Sequence, residues 1–145
     1  MMRDPRLQRY VEFFERLTPD SLADIGRVMT DDVHFADPFS DVTGLEPARR
    51  IFARMFEELD AATFRVRHAG LADEASDTGL LSWRLDAVVR KSGSRLCIEG
   101  MSAIRFASDG RVCEHIDHWD AGRQIYERVP LLGAVLRRIR ARLGV

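Results

Sequence analysis

The sequence predicts an α+β domain in which helices come first, a meander of antiparallel strands follows, and one more helix closes the chain. Three observations predict it. Apolar residues recur at three- and four-residue intervals up to about Asp60, the recurrence changes to period two between Phe64 and Asp120, and helical spacing returns after Pro130. Helices segregated from strands in this way pack as a layer on one face of a sheet.

The first helix runs from about Pro5 to Leu17, where Leu7, Tyr10, Val11, Phe14 and Leu17 build one apolar face. Thr18 is placed to cap a second helix with Pro19 in its first turn, and Leu22, Ile25, Val28 and Met29 form the buried stripe. Val33-His34-Phe35-Ala36 reads as a short strand that Pro38 stops, which leaves Asp37 at a strand end. Gly44 and Pro47 introduce a third helix, ending near Asp60, with Ile51, Phe52, Met55, Phe56 and Leu59 in two rows down one side.

Four strands come next: one around Phe64, Val66 and His68, then Gly79 to Lys91, Leu96 to Ala107 and Val112 to Asp120. Lys91-Ser92-Gly93-Ser94 and Ser108-Asp109-Gly110-Arg111 are tight-turn signals, so these strands pair antiparallel. From Pro130 to Leu143 a short helix carries Leu132, Val135, Leu136, Ile139 and Leu143 on one stripe and arginines elsewhere.

Composition sets the outer limits. At 145 residues, 46% apolar and 31% charged, the chain suits one globular core. It reads as a single domain over residues 1–145, with 129–145 as a basic amphipathic helix. No run of about 18 apolar residues occurs and the N-terminus shows no apolar signal region, so a soluble, cytoplasmic protein is expected. Cys97 and Cys113 sit in strands without metal or disulfide spacing, and His34 and His68 lack metal-type neighbours, so no metal and no cofactor are expected. The net charge of −1 is uneven. Residues 121–145 hold six arginines against the single acid Glu127, a balance of +5, which leaves −6 for the rest. The signatures GxGxxG, GxxxxGK[ST], HExxH and GxSxG are missing, which removes support for nucleotide-cradling, zincin and hydrolase-elbow chemistry.

The order of elements resembles the nuclear transport factor 2-like superfamily and its SnoaL-like branch. The local pieces are Phe35-Ala36-Asp37-Pro38-Phe39-Ser40-Asp41-Val42-Thr43-Gly44, Gly100-Met101-Ser102, Asp109-Gly110-Arg111-Val112 and His115-Ile116-Asp117-His118-Trp119-Asp120. The resemblance implies a cone: three N-terminal helices on a strongly curved antiparallel sheet, with a cavity at the open end. It also implies a homodimer, and it points to Asp117 as the position matching the acid/base aspartate of cyclase-like relatives.

Alternation along the last strand puts Cys113, His115, Asp117 and Trp119 on one face and Val112, Glu114, Ile116, His118 and Asp120 on the other. The first face is taken as the cavity side because it sets an aromatic beside two titratable groups, although the apolar Val112 and Ile116 argue for the second. Asp117 is then the candidate general base with His115 assisting, or the two simply satisfy each other by hydrogen bonding. Asp37 is a second candidate catalytic group, or a cap for the turn at Pro38. Arg84 and Asp86 share a strand face with Ser82 and are read as a pair on a solvated face or dimer seam, with a pocket pair as the alternative. Tyr10, Phe35, Phe56, Trp83 and Trp119 are the aromatic groups expected to contact a substrate, or else to fill the core.

Two functions fit these residues. One is a cofactor-independent isomerase or cyclase acting on a hydrophobic carbonyl compound; the other is a non-catalytic ligand-binding or dimerisation module. A hydrophobic small molecule is the expected partner and nucleic acid is not. The basic tail packs on the domain or on a partner subunit, with membrane-surface contact as the less favoured reading.

Overall fold

The computed structural model describes residues 3–144; Met1, Met2 and Val145, counted above with the domain and its last helix, lie outside the described residues. Helix α1 spans Pro5–Glu15. Its start is fixed by Asp4, whose carboxylate accepts the Arg6 amide at 2.9 Å, and by Pro5 in the first turn, where no backbone donor is needed. Leu7, Tyr10, Val11 and Phe14 are its buried face.

The second helix differs from expectation. Asp20–Arg27 is a 3-10 helix, and Met29 already belongs to strand β1, Met29–Ala36. Leu22, Ile25 and Val28 recur strictly every third residue, the period of a 3-10 turn, and all three are buried. Thr18 and Ser21 brace the entry by exchanging amide-to-hydroxyl bonds of 2.8 and 3.1 Å. A turn at Asp37–Ser40 leads into β2, Asp41–Thr43, which is too short to leave a periodic signal. Helix α2 follows as Leu45–Glu58.

Strands β3 (Leu59–Leu71), β4 (Thr78–Val89), β5 (Arg95–Phe106) and β6 (Val112–His118) form the expected antiparallel meander. The sheet has six strands in the order β2-β1-β6-β5-β4-β3, and it is not wholly antiparallel, because β1 lies parallel to β6. That pairing covers the backbone edge which β6 would otherwise leave open. Register shifts interrupt β3 near Ala61, whose φ is 52°, and interrupt the β5–β6 and β1–β6 ladders. Such irregularities bend a sheet, and here the sheet is curved.

Alternation on the curved sheet turns Leu81, Trp83 and Leu85 of β4, Ser102 and Ile104 of β5, and His115 of β6 inward, where α1 and α2 cover them. After β6, Asp120 caps the single turn α3 (Ala121–Gln124) by accepting the Arg123 amide at 2.9 Å. A 3-10 turn at Tyr126–Arg128 then leads to α4, Pro130–Leu143. The expectation of three N-terminal α-helices thus becomes two α-helices and a 3-10 segment.

Candidate functional site

Three strands and one helix deliver five polar side chains to a single line. Tyr10 comes from α1, His115 and Asp117 from β6, Ser102 from β5 and Trp83 from β4. The Tyr10 hydroxyl lies 2.6 Å from Nδ1 of His115, and Nε2 of His115 lies 2.8 Å from Oδ1 of Asp117. From the other end, the Trp83 indole N–H donates to Ser102 Oγ at 2.8 Å, and the Ser102 hydroxyl donates to the same Oδ1 at 2.5 Å.

The proton positions follow from the partners. Burial, and then the charge of Asp117, push the Tyr10 phenol well above its ordinary titration range, so it keeps its proton and donates to Nδ1. With Nδ1 accepting from Tyr10, the N–H of His115 on Nε2 is directed at Asp117. Every donor in the line has one acceptor, and the carboxylate is held at Oδ1 by two of them. Among the described residues no hydrogen bond reaches Oδ2, and it is not one of the fully enclosed polar atoms lacking a partner. Asp117 therefore presents one constrained oxygen and one open oxygen.

Packing fixes the imidazole as firmly as the hydrogen bonds. Phe35 stacks on His115 at 4.9 Å between centroids, and Tyr10 and Phe14 flank it at 5.8 and 5.9 Å. Gly100, opposite Trp83 in the β4–β5 register, is what lets the indole lie across the sheet: a Cβ there would stand 2.6 Å from Cζ2 of Trp83.

Two spaces meet at Asp117. An inner chamber of about 40 Å³ is bounded by Tyr10, Phe14, Trp83, Ser102, His115 and Asp117. It is large enough for ordered water. An open cleft of about 1000 Å³ adjoins it, lined mostly by apolar residues such as Phe35, Met55, Ile98 and Trp119, with Asp37, Arg54, Glu58, Asp117 and Arg128 as its charged groups. A cleft of this size and lining suits a hydrophobic small molecule.

Asp37 does two things at once. Its Oδ1 accepts the amides of Phe39 and Ser40 at 2.8 and 2.7 Å, capping the turn as one of the two sequence readings has it. The side chain also lines the cleft, and desolvation raises its pKa against the lowering effect of those two amides, with the nearby charge of Asp117 adding to the rise. Phe56 packs against the core, the second of its two sequence readings, while Phe52 and Met55 of the same helix line the cleft. Tyr10 reaches the inner chamber, Phe35 and Trp119 the cleft, and Trp83 both. The apolar Ile116 faces away from His115, so its presence does not mark the core face. Arg84 and Asp86 pair outside the cavity at 2.9 Å.

Ser102 was missed as a site residue, although a signal existed. Taking Asp109-Gly110 as the centre of the last hairpin and counting outward along both strands sets Ser102 opposite Asp117, the register found. Among the described residues no group of three or more histidine, cysteine, aspartate or glutamate side chains is set to hold a metal ion.

Fold and site together define a class: a curved-sheet α+β protein with a titratable hydrogen-bonded line where a small inner chamber meets a largely apolar cleft. The SnoaL-like domain model matches residues 8–115, and the chain belongs to that family, within the nuclear transport factor 2-like fold. Comparison with curated proteins gives no match. Among solved structures, the chain is similar to a Catenulispora acidiphila protein with a ketosteroid isomerase-like fold, in complex with trimethylamine. The TM-score is 0.70 at 12% identity, over 90% of this chain and 95% of the other. It is also similar to an LEH-like epoxide hydrolase of M. tuberculosis, with a TM-score of 0.67, 13% identity, and coverage of 92% and 91%. A protein from Jannaschia sp. assigned as a SnoaL-like polyketide cyclase gives 0.65 and 18%, over 83% and 91%. Identities this low show the fold alone.

Proposed function

We propose that the protein catalyses proton transfer on a hydrophobic carbonyl compound held in the cleft, as an isomerase or cyclase, with Asp117 as the general base. One observation carries this reading: the hydrogen bonds from His115 and Ser102 converge on Oδ1 and leave Oδ2 open where the polar line meets the apolar cleft. Oδ2 takes a proton from the carbon next to the carbonyl, and the electron pair moves onto the carbonyl oxygen. Asp37, whose pKa desolvation raises, lines the same cleft and in its protonated form donates a hydrogen bond to that oxygen. The proton then returns from Asp117 to a different carbon, or after ring closure. The reading fits the SnoaL-like family to which the chain belongs, whose fold is shared with a protein assigned as a polyketide cyclase.

The test is exchange of α-protons of hydrophobic cyclic ketones in heavy water, followed by NMR with wild-type protein and with Asp117→Asn. The wild type is expected to accelerate exchange, and the variant to lose about a hundredfold or more of that rate. An undiminished rate in Asp117→Asn removes the role, and ketone binding without exchange by the wild type selects the non-catalytic binding module.

A further inference from the structure

Helix α4 starts beside the cleft. Arg128 and Val129, immediately before it, line that cleft, and Tyr126 packs edge-on against Phe39 at 5.8 Å. Glu127 sets the direction in which the helix leaves. Its carboxylate accepts from Nε and Nη2 of Arg140 at 2.8 and 3.3 Å, and its carbonyl oxygen accepts from Nη1 of Arg137 at 2.6 Å. Gly133 is required at that crossing, because a Cβ would overlap the Glu127 carbonyl.

The apolar stripe of α4 is left outside these contacts. Leu132 is 44% exposed, Val135 55%, Ile139 49% and Leu143 83%. With about 100° of rotation per residue, Arg137 and Arg140 border the stripe on one side and Arg138 and Arg142 on the other. The helix contains no acid.

A narrow apolar stripe edged on both sides by arginines matches the depth profile of a headgroup layer: aliphatic side chains reach the acyl boundary while guanidinium groups stay with the phosphates. A second α4 would be a poor partner for the same stripe, since four arginines would meet four arginines. The distribution of charge along the chain, +5 after residue 120 and −6 before it, turns the basic end toward an anionic surface and the body away. No helix among the described residues is long and apolar enough to cross a membrane, so the contact lies in the interface.

We propose that α4 docks the protein on an anionic lipid surface through Leu132, Val135, Ile139 and Leu143 and the flanking arginines. The docking does not depend on the chemistry assigned to Asp117.

The test is co-sedimentation of the full chain with vesicles of equal parts phosphatidylcholine and phosphatidylglycerol, against vesicles of phosphatidylcholine alone. Binding is expected only to the anionic vesicles and is expected to weaken as salt rises. Neutralising Arg138 and Arg142 together (Arg138→Gln with Arg142→Gln) is expected to weaken it on the order of thirtyfold. Val135→Ser with Ile139→Ser is expected to abolish it, with an unchanged circular dichroism spectrum because both side chains are exposed. Failure of the wild type to bind anionic vesicles overturns the proposal, as does binding by either double variant equal to that of the wild type. Self-association that Val135→Ser with Ile139→Ser removes, without vesicle binding, overturns it in favour of a second copy of the chain.

Discussion

Tyr10 on the first helix and His115 on the last strand, 105 residues apart, share a 2.6 Å hydrogen bond in the buried interior. The bond joins the helical layer to the sheet at the same point where the imidazole is oriented toward Asp117. Stability and site geometry therefore depend on one contact, and the variants below separate the two.

Tyr10→Phe keeps the ring and removes the donor, which leaves Nδ1 of His115 buried without its partner. A loss of about 1–3 kcal/mol in unfolding free energy is expected. Urea unfolding of wild type and variant measures it; equal midpoints would show that the bond contributes nothing or that water replaces it.

Ser102→Ala leaves the Trp83 indole N–H without an acceptor and removes one of the two donors to Asp117 Oδ1. Stability is expected to fall by about 1–3 kcal/mol, while any turnover falls by less than in Asp117→Asn, because His115 still holds the carboxylate. Turnover lost to the same extent in both variants would contradict this division of roles.

Gly100→Ala places a Cβ 2.6 and 2.8 Å from two ring carbons of Trp83 and 3.0 Å from Cβ of Trp119. The indole has to move away from Ser102, at about 1–3 kcal/mol for overpacking of this kind. A changed near-ultraviolet circular dichroism spectrum is the expected signature, and an unchanged one with full stability would mean that the strand shifts instead.

His34 pairs with Asp41 at 2.7 Å and with Glu114 at 3.3 Å, tying β2, β1 and β6 together at the outer surface. The hydrogen bond to Asp41, then that to Glu114, raises its pKa above the ordinary 6.5. Because the folded value exceeds the unfolded one, the pair stabilises the fold fully below pH 6.5 and ceases to do so as pH rises through the folded value. The group is partly exposed, so the effect is expected to stay below about 1 kcal/mol. NMR titration is expected to show a His34 pKa that drops in Asp41→Asn; an unshifted pKa would count against the pairing.

Much of the fold was legible where the pattern is long and strictly periodic: α1, α2 and the β4–β5–β6 meander appear nearly as read. The second helix went wrong at Met29 because helix and strand share an apolar boundary there, and a three-residue spacing fits a 3-10 turn as well as an α-helical stripe. β2 and the parallel β1–β6 pairing were not readable. Three residues carry no period, and nothing local in β1 specifies a partner some 80 residues away.

The site divides in the same way. The sequence by itself determined that His115 and Asp117 share one strand face and that Asp109-Gly110 turns the chain back onto Ser102, because both depend only on period-two geometry and a tight turn. Only the tertiary structure decided which face meets the cavity, that Tyr10 completes the line, that Phe52 rather than Phe56 lines the cleft, and that the stripe of α4 stays uncovered. Those outcomes depend on how layers distant in the chain come to pack, and the packing is settled by curvature and volume across the whole domain rather than by any local spacing.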